Sequence, residues 1–417
     1  MTSPSPINPI LIIFLLNLSL QNFSVVQNET EDVNYFLKFN VQYNNLSQDK
    51  IWNFTERGDI DRTTGLFMNN SWQTVYLVNS TFPVETKGND EDDNSVAILQ
   101  FQKLVLQPGD NLNFTLWYHA VSKPRAIPYI TETDSLNLTD IPQNLVDEYT
   151  LGEGPWQTGN QQLVSLALHL KGSETNVLKI VENFIKWIKE HISNPKDRHE
   201  NRYYPNQTYA LREGDCDDQA MLCMHAVTLC RIVKIPAYLQ VGCIYLPRHF
   251  DNASVWNNHV SSVERRIGWH GWAFIYVPPW GWLPVDLTFV PQGFEDPLNA
   301  IKHAAVTLQN TTQYINVMHT DYVAASLEEQ KFLLNNGFYV HTEYEMTLDV
   351  KNDSDGVEHF SDETPSTLSI DSWVLIVLIL LTIFAIFGSI LISVRLRKRN
   401  QKLSLPPPPP DLNSQDD

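Results

Sequence analysis

Cysteine is scarce in this chain. Its 417 residues hold four, Cys216, Cys223, Cys230 and Cys243, with no Cys-x-x-Cys pair. That excludes a scaffold built on many disulfides and a zinc ribbon, and His225 stands alone among the cysteines as a further ligand type, so no metal and no cofactor is expected. On a helix, Cys216, Cys223 and Cys230 would fall about 10 Å apart at each step, too far to bridge one another. Burial as small apolar side chains is the expectation for the set, with a bridge to Cys243 the alternative. Basic residues are also few, 29 Lys and Arg against 48 Asp and Glu for a net charge of −19. Such a balance excludes nucleic acid as a partner and suits solubility in a crowded exterior. No internal repeat is present, and no Lys or Arg precedes Lys38.

Two long apolar runs are present, one near each end. Trp373 to Val394 carries no charge and is long enough to cross a bilayer as a helix, so residues 372–394 are read as a transmembrane helix. Arg395, Arg397, Lys398 and Arg399 follow at once. Positive residues stay inside, which puts the 395–417 tail in the cytoplasm and the large N-terminal part outside a cell membrane crossed once. Ile10 to Leu20 resembles the apolar core of a secretory signal within residues 1–24, without the usual basic flank or a clean small-x-small cleavage site. Frequent Asn-x-Ser/Thr triplets, among them Asn45, Asn53, Asn79, Asn113 and Asn252, agree with an external, glycosylated chain. Residues 351–371 are acidic and rich in Ser, Thr and Asp, the composition of a flexible stalk. Pro406 to Pro410 favours a polyproline II segment that an SH3-like partner could bind.

The stretch from Leu211 to Pro236 organises the rest. Asp215 can cap a helix N-terminus and Asp218 completes a capping-box-like pair, so Cys216 falls at the first helical position. Ala220, Met221, Leu222, Cys223, Val227, Leu229 and Cys230 leave no polar face, the pattern of a helix buried on all sides, and Pro236 ends it. A thiol at such a helix start meets unpaired N–H groups and the positive end of the dipole, which favour the reactive thiolate.

A thiol nucleophile needs a base and the base a partner. Trp269 to Val277 alternates like a strand, Pro278-Pro279-Trp280-Gly281 is a turn cluster, and Trp282 to Phe289 reads as the returning strand. Folding that hairpin brings His270 within a residue or two of facing Asp286, and one shared face would let them hydrogen-bond. Gly214-Asp-Cys216-Asp-Asp-Gln-Ala220, His270-Gly-Trp-Ala-Phe274 and Gly281-Trp-Leu-Pro-Val-Asp286 together resemble the transglutaminase-like branch of the papain-like thiol enzymes, in its microbial form. The resemblance implies Cys216 as nucleophile, His270 as base and Asp286 as orienting acid. Gly271 stands where Ala is commoner and Leu287 where Pro is commoner; neither change removes a reacting group.

Taken in order, residues 31–150 show short alternating runs such as Trp72 to Val78, Val96 to Gln102 and Leu112 to Tyr118, separated by Gly, Asn, Asp and Pro. They predict a β-sandwich-like domain. The acidic run Asn89 to Asn94 lacks the spacing of a calcium loop and is expected to face water. The catalytic domain is expected over 155–350, with helices at Gln161 to Leu170 and Thr175 to Ile192. The second carries its apolar stripe on Val177, Val181, Phe184 and Ile188, widened by Leu178 and Ile185. Tyr203 and Tyr204 lie in a polar loop where packing and substrate contact are both open. A strand from Ala237 to Tyr245 precedes a loop over Leu246 to Gly268, whose His249 and His259 are rival bases expected at the solvated surface. A helix over Ser326 to Asn335 and a strand over Phe338 to Leu348 close the domain.

The fold class expected is α+β, a transglutaminase-like catalytic domain preceded by the sandwich and followed by the membrane helix. The expected function is a membrane-tethered thiol enzyme that cleaves or transfers amide acyl groups of an extracellular protein or peptide. Release of the acyl group to water and release to an amine both fit the residues, with hydrolysis favoured because water is always available. A non-catalytic surface adhesin reusing the fold is the alternative.

Overall fold

The computed structural model describes residues 31–125, 128–193, 202–215, 227–288, 296–307 and 311–349. The N-terminal half supplies β1 (Val33–Asn45), β2 (Trp52–Asn53), β3 (Thr63–Gly65), β4 (Gln73–Ser80), β5 (Val84–Asn89), β6 (Ser95–Leu99), β7 (Val105–Leu106) and β8 (Asn111–Ser122). Helices follow as α1 (Gln143–Tyr149), α2 (Gln161–Lys171), α3 (Val177–His191) and α4 (Pro205–Leu211). Then come β9 (Ala237–Val255), β10 (Val260–Val277), β11 (Gly281–Val285), α5 (Asn299–Thr307), β12 (Thr311–Val317), α6 (Tyr322–Asn336) and β13 (Phe338–Leu348).

Strict alternation builds the middle of the main sheet. Val33, Tyr35, Leu37, Phe39, Val41 and Tyr43 of β1 are buried while Phe36 and Lys38 between them are exposed. Leu112, Phe114, Leu116, Tyr118 and Ala120 of β8 repeat the pattern opposite them, in a register that pairs Phe39 with Leu116. The sheet runs in the order β12, β9, β10, β13, β1, β8, β4, with β11 added on β10. Its pairs are antiparallel except β10 with β13.

The separate sandwich expected for residues 31–150 is therefore not what forms. β1 is hydrogen-bonded to β8 on one edge and to β13, from the far end of the fold, on the other. Phe39 packs against Trp269 and Tyr344, at ring-centroid distances of 5.7 and 4.9 Å, so the N-terminal strands and β10 share one core. All described residues belong to one compact unit. The acidic run also departs from expectation. Asp92 is buried, its carboxylate accepting the backbone N–H groups of His319 and Thr320, and Asn94 exchanges hydrogen bonds with the backbone of Asn316. These bonds satisfy a carboxylate that could not otherwise leave water.

The expected loop over 246–268 is instead the outer part of a long hairpin. β9 and β10 stay paired to Val255 and Val260, turning through Trp256, Asn257 and Asn258 at positive φ, with a bulge near Arg266. α3 begins where Asn176 caps the N–H of Lys179 and buries the predicted stripe on Val177, Leu178, Val181, Phe184, Ile185 and Ile188. α6 ends at Gly337, φ 69°, and a Cβ there would lie 3.2 Å from the backbone of Ser47. Asn45 is fully buried, its amide donating to Lys50 O and Leu106 O, so that acceptor triplet has no free side chain for a glycan once folded. Among the described residues no helix is long and apolar enough to cross a membrane. The expected signal-like segment, stalk, membrane helix and basic tail lie outside the described residues.

Candidate active site

β10 is the strand on which the site is assembled. Its ladder to β13 covers Val260 to Arg265, and its ladder to β11 begins at Ala273. His270 lies between these two ladders, on the segment of β10 paired along its other edge with β9. The β10–β11 register pairs Ala273 with Val285, so one further step would set Asp286 across from Trp272, and His270 lies diagonally on the same face. The turn over Pro278 to Trp280, with Gly281 at φ 84°, sets this register.

His270 Nε2 and Asp286 Oδ2 are 2.7 Å apart, with side chains 1% and 5% exposed. An ionised carboxylate only accepts, so Nε2–H is the donor to it, and Nδ1 is the basic nitrogen of that tautomer. A charge-assisted bond of this length fixes the ring plane. Asp286 is itself held. Its Oδ1 accepts from Thr288 N (2.9 Å) and Thr288 Oγ1 (3.3 Å), and its backbone N donates to Ala300 O (3.0 Å) in the first turn of α5. A ring oriented by a buried carboxylate is one element that a general base requires.

The strand beside it must be slim. Gly242 of β9 pairs with His270, and a Cβ on Gly242 would meet Thr312 O at 2.4 Å and the Trp272 ring at 2.8 Å. Trp272 is 1% exposed, its ring 5.7 Å from that of His270. It walls the imidazole on the side towards Phe274.

Cys216 lies outside the described residues, and so does Cys223, but both flanks of the segment are described. Downstream, residues 227–232 are helical and end as expected before Pro236, with Lys234 at φ 68° and Ile235 N donating to Cys230 O at 2.8 Å. Cys230 and Cys243 are free thiols, fully buried, and burial pushes both well above the usual thiol range. They are inert apolar fillers, the burial expected of free cysteines. Upstream, Asp215 is buried and accepts from Arg202 Nη1 at 3.1 Å. No sequence signal marked that ion pair, because Arg202 lies in a polar loop with no periodicity.

Of the rival bases, His249 stays partly exposed and His259 is not at the solvated surface. His259 is buried, its Nδ1 2.7 Å from Phe338 O and its ring stacked on Tyr339. His249 Nε2 is 3.2 Å from Oε2 of the buried Glu264. Both are held by the long hairpin that sequence reasoning missed. Tyr204 serves packing, donating its hydroxyl to Asp321 at the start of α6 (3.0 and 3.2 Å), and burial together with that carboxylate pushes its phenol up to about 12. Among the described residues, no group of three or more His, Cys, Asp or Glu is placed to hold a metal ion.

Residues 164–287 match the model of the transglutaminase-like superfamily, a span that contains Cys216, His270 and Asp286. The chain carries a transglutaminase-like domain. Similar solved structures include a Cytophaga hutchinsonii protein provisionally assigned as a cysteine protease, 12% identical, covering 80% of this chain and 95% of that one at a TM-score of 0.45. The periplasmic domain of TgpA from Pseudomonas aeruginosa is 13% identical, covering 61% of this chain and 88% of that one at 0.28. Red sea bream transglutaminase is 11% identical, covering 72% and 61% at 0.26. Among curated proteins none matches. Likenesses this distant carry no functional weight. The transglutaminase-like domain is built on a mixed α and β fold in which α3, the helix before the cysteine turn, and the β9–β10–β11 sheet join one core.

Proposed function

We propose that this protein is a thiol-dependent enzyme of the transglutaminase-like type, acting on amide bonds of proteins or peptides by acyl transfer. The observation that carries the reading is the buried 2.7 Å bond from His270 Nε2 to Asp286, which favours the tautomer whose basic nitrogen is Nδ1. In the proposed cycle Nδ1 takes the proton of Cys216 Sγ and the sulfur adds to the amide carbonyl. The C–N bond then breaks, the amine leaving with the proton from Nδ1 and a thioester remaining on Cys216. Water or a second amine, deprotonated by the same nitrogen, attacks the thioester and releases acid or new amide with the thiol restored. Asp286 stays ionised and stabilises the imidazolium. The apolar run at 372–394 and the basic residues after it support a placement of the domain outside a membrane that the chain crosses once.

Incubating the protein with a peptide mixture and a primary amine, and following products by mass spectrometry, tests this. Cleavage, deamidation or amine incorporation is expected with the wild type and none with Cys216→Ala; equal product from both proteins would refute the proposal. The product type separates hydrolysis, favoured by the availability of water, from transamidation.

A further inference from the structure

The turn that leads into Cys216 is clamped from several sides. Arg212 holds a left-handed conformation, φ 61°, with its guanidinium over the rings of Tyr209 (4.4 Å) and Trp187 (5.0 Å). Ser193 N donates to Arg212 O and Gly214 N donates to Ser193 O, both at 3.0 Å, tying the turn to the end of α3. Asp215 then accepts from Arg202 at 3.1 Å, with the two side chains only 6% and 9% exposed. A left-handed residue other than Gly is unfavourable by roughly 1–2 kcal/mol, and an unpaired buried carboxylate by several, so the surroundings must hold this conformation in place.

We propose that Arg202 is a positioning residue for the nucleophile. By gripping Asp215 it holds the end of the turn that leads into Cys216, and it offsets a carboxylate charge that stands one residue, about 3.8 Å between Cα atoms, from the sulfur-bearing residue. The inference rests on the proposed role of Cys216. A guanidinium suits the task because it stays charged when buried and its planar fork holds direction as well as charge. Without it, the Asp215 charge opposes ionisation of the neighbouring thiol, since like charges disfavour one another strongly away from water.

The test is the rate at which iodoacetamide alkylates Cys216 in the full-length chain at pH 7, read at that residue by peptide mass spectrometry. Arg202→Gln should slow alkylation by about tenfold. Adding Asp215→Asn should return the rate to within about threefold of wild type, because the opposing charge is then gone. Arg202→Lys, which keeps the charge and loses the fork, should fall between, and it carries the test if the Gln variant does not fold. A role confined to stability would lower the unfolding midpoint of the Arg202 variants without slowing alkylation of Cys216. Unchanged or faster labelling of the Arg202 variants, or slowing that Asp215→Asn does not reverse, overturns the proposal. If Cys216→Ala still forms product from peptide and amine, the functional reading itself falls. If that variant is silent while Arg202→Gln labels like wild type, the functional reading stands and Arg202 has no such role.

Discussion

At the scale of single residues, the account places its weight on the tautomer that Asp286 imposes on His270. Asp286→Asn keeps the size and can keep a hydrogen bond, but an amide donates as readily as it accepts, so the ring is free to turn or to move its proton to Nδ1. Turnover should fall by about 10²–10⁴-fold with little change in the thermal unfolding midpoint. Steady-state kinetics beside a melting curve checks this, and a loss of activity that merely follows unfolding would count against the assigned role. A second carboxylate makes a pH statement. Burial, with Glu132 and Asp296 adding like charge, raises Glu182 of α3 from near 4.5 to about 7. The folded state thus holds this proton more tightly than the unfolded one, so its contribution is fully present below about 4.5 and is lost as pH rises through 7. Glu182→Gln should therefore leave the unfolding midpoint nearly unchanged at pH 5 and raise it at pH 8. Equal shifts at the two pH values would contradict the assignment. Asp286 and His270 were legible before any coordinates because a two-strand hairpin with a Pro-Pro turn has few registers, and equal parity puts both residues on one face. The Arg202–Asp215 pair was not, since an ion pair between a loop and a turn leaves no periodic trace.

At the scale of elements, the long helices α2, α3 and α6 declared themselves, while the short α1 and α4 and the long hairpin did not. α3 has a capping Asn176 and a stripe at helical spacing, so its extent and its buried face followed from the sequence. Phe184 is fully buried in that stripe. Truncating it to Ala should destabilise the fold by about 3–5 kcal/mol, from lost burial and the cavity left behind; denaturant unfolding measures it, and a change under about 1 kcal/mol would mean that the helix packs otherwise. The outer half of β9 and β10 was hidden because its inward positions include Ser262 and Glu264, both buried, where apolar residues would have shown the alternation. Three consecutive residues at positive φ, Trp256, Asn257 and Asn258, make the turn without a glycine to announce it.

At the scale of the whole molecule, one sheet joins strands from both ends of the described chain. Pairing of β1 with β13 is invisible to local patterning, because strand alternation says which face is buried and not which strand lies alongside. The N-terminal strands therefore looked like a domain of their own. The consequence is measurable: a fragment of residues 155–349 lacks β1, β4 and β8, exposes the long inner edge of β13, and should be insoluble or unfolded when expressed alone. A soluble fragment with a cooperative melt would show instead that the N-terminal strands are dispensable. Arg57 reinforces the same union, reaching both Asp61 in the N-terminal part and Glu329 on α6 while lying over the ring of Phe332. Shared core, shared sheet and buried ion pairs make the fold that holds His270 and Asp286 in register a property of the entire described unit.

The most direct test of the central claim is covalent capture. A peptide carrying an electrophile in place of its amide, incubated with the full-length chain, should add its mass to the Cys216 peptide alone. Capture should be about 100-fold slower in His270→Gln, whose side chain cannot take the thiol proton. Labelling that falls on another residue, or that proceeds at the wild-type rate without His270, would contradict the account.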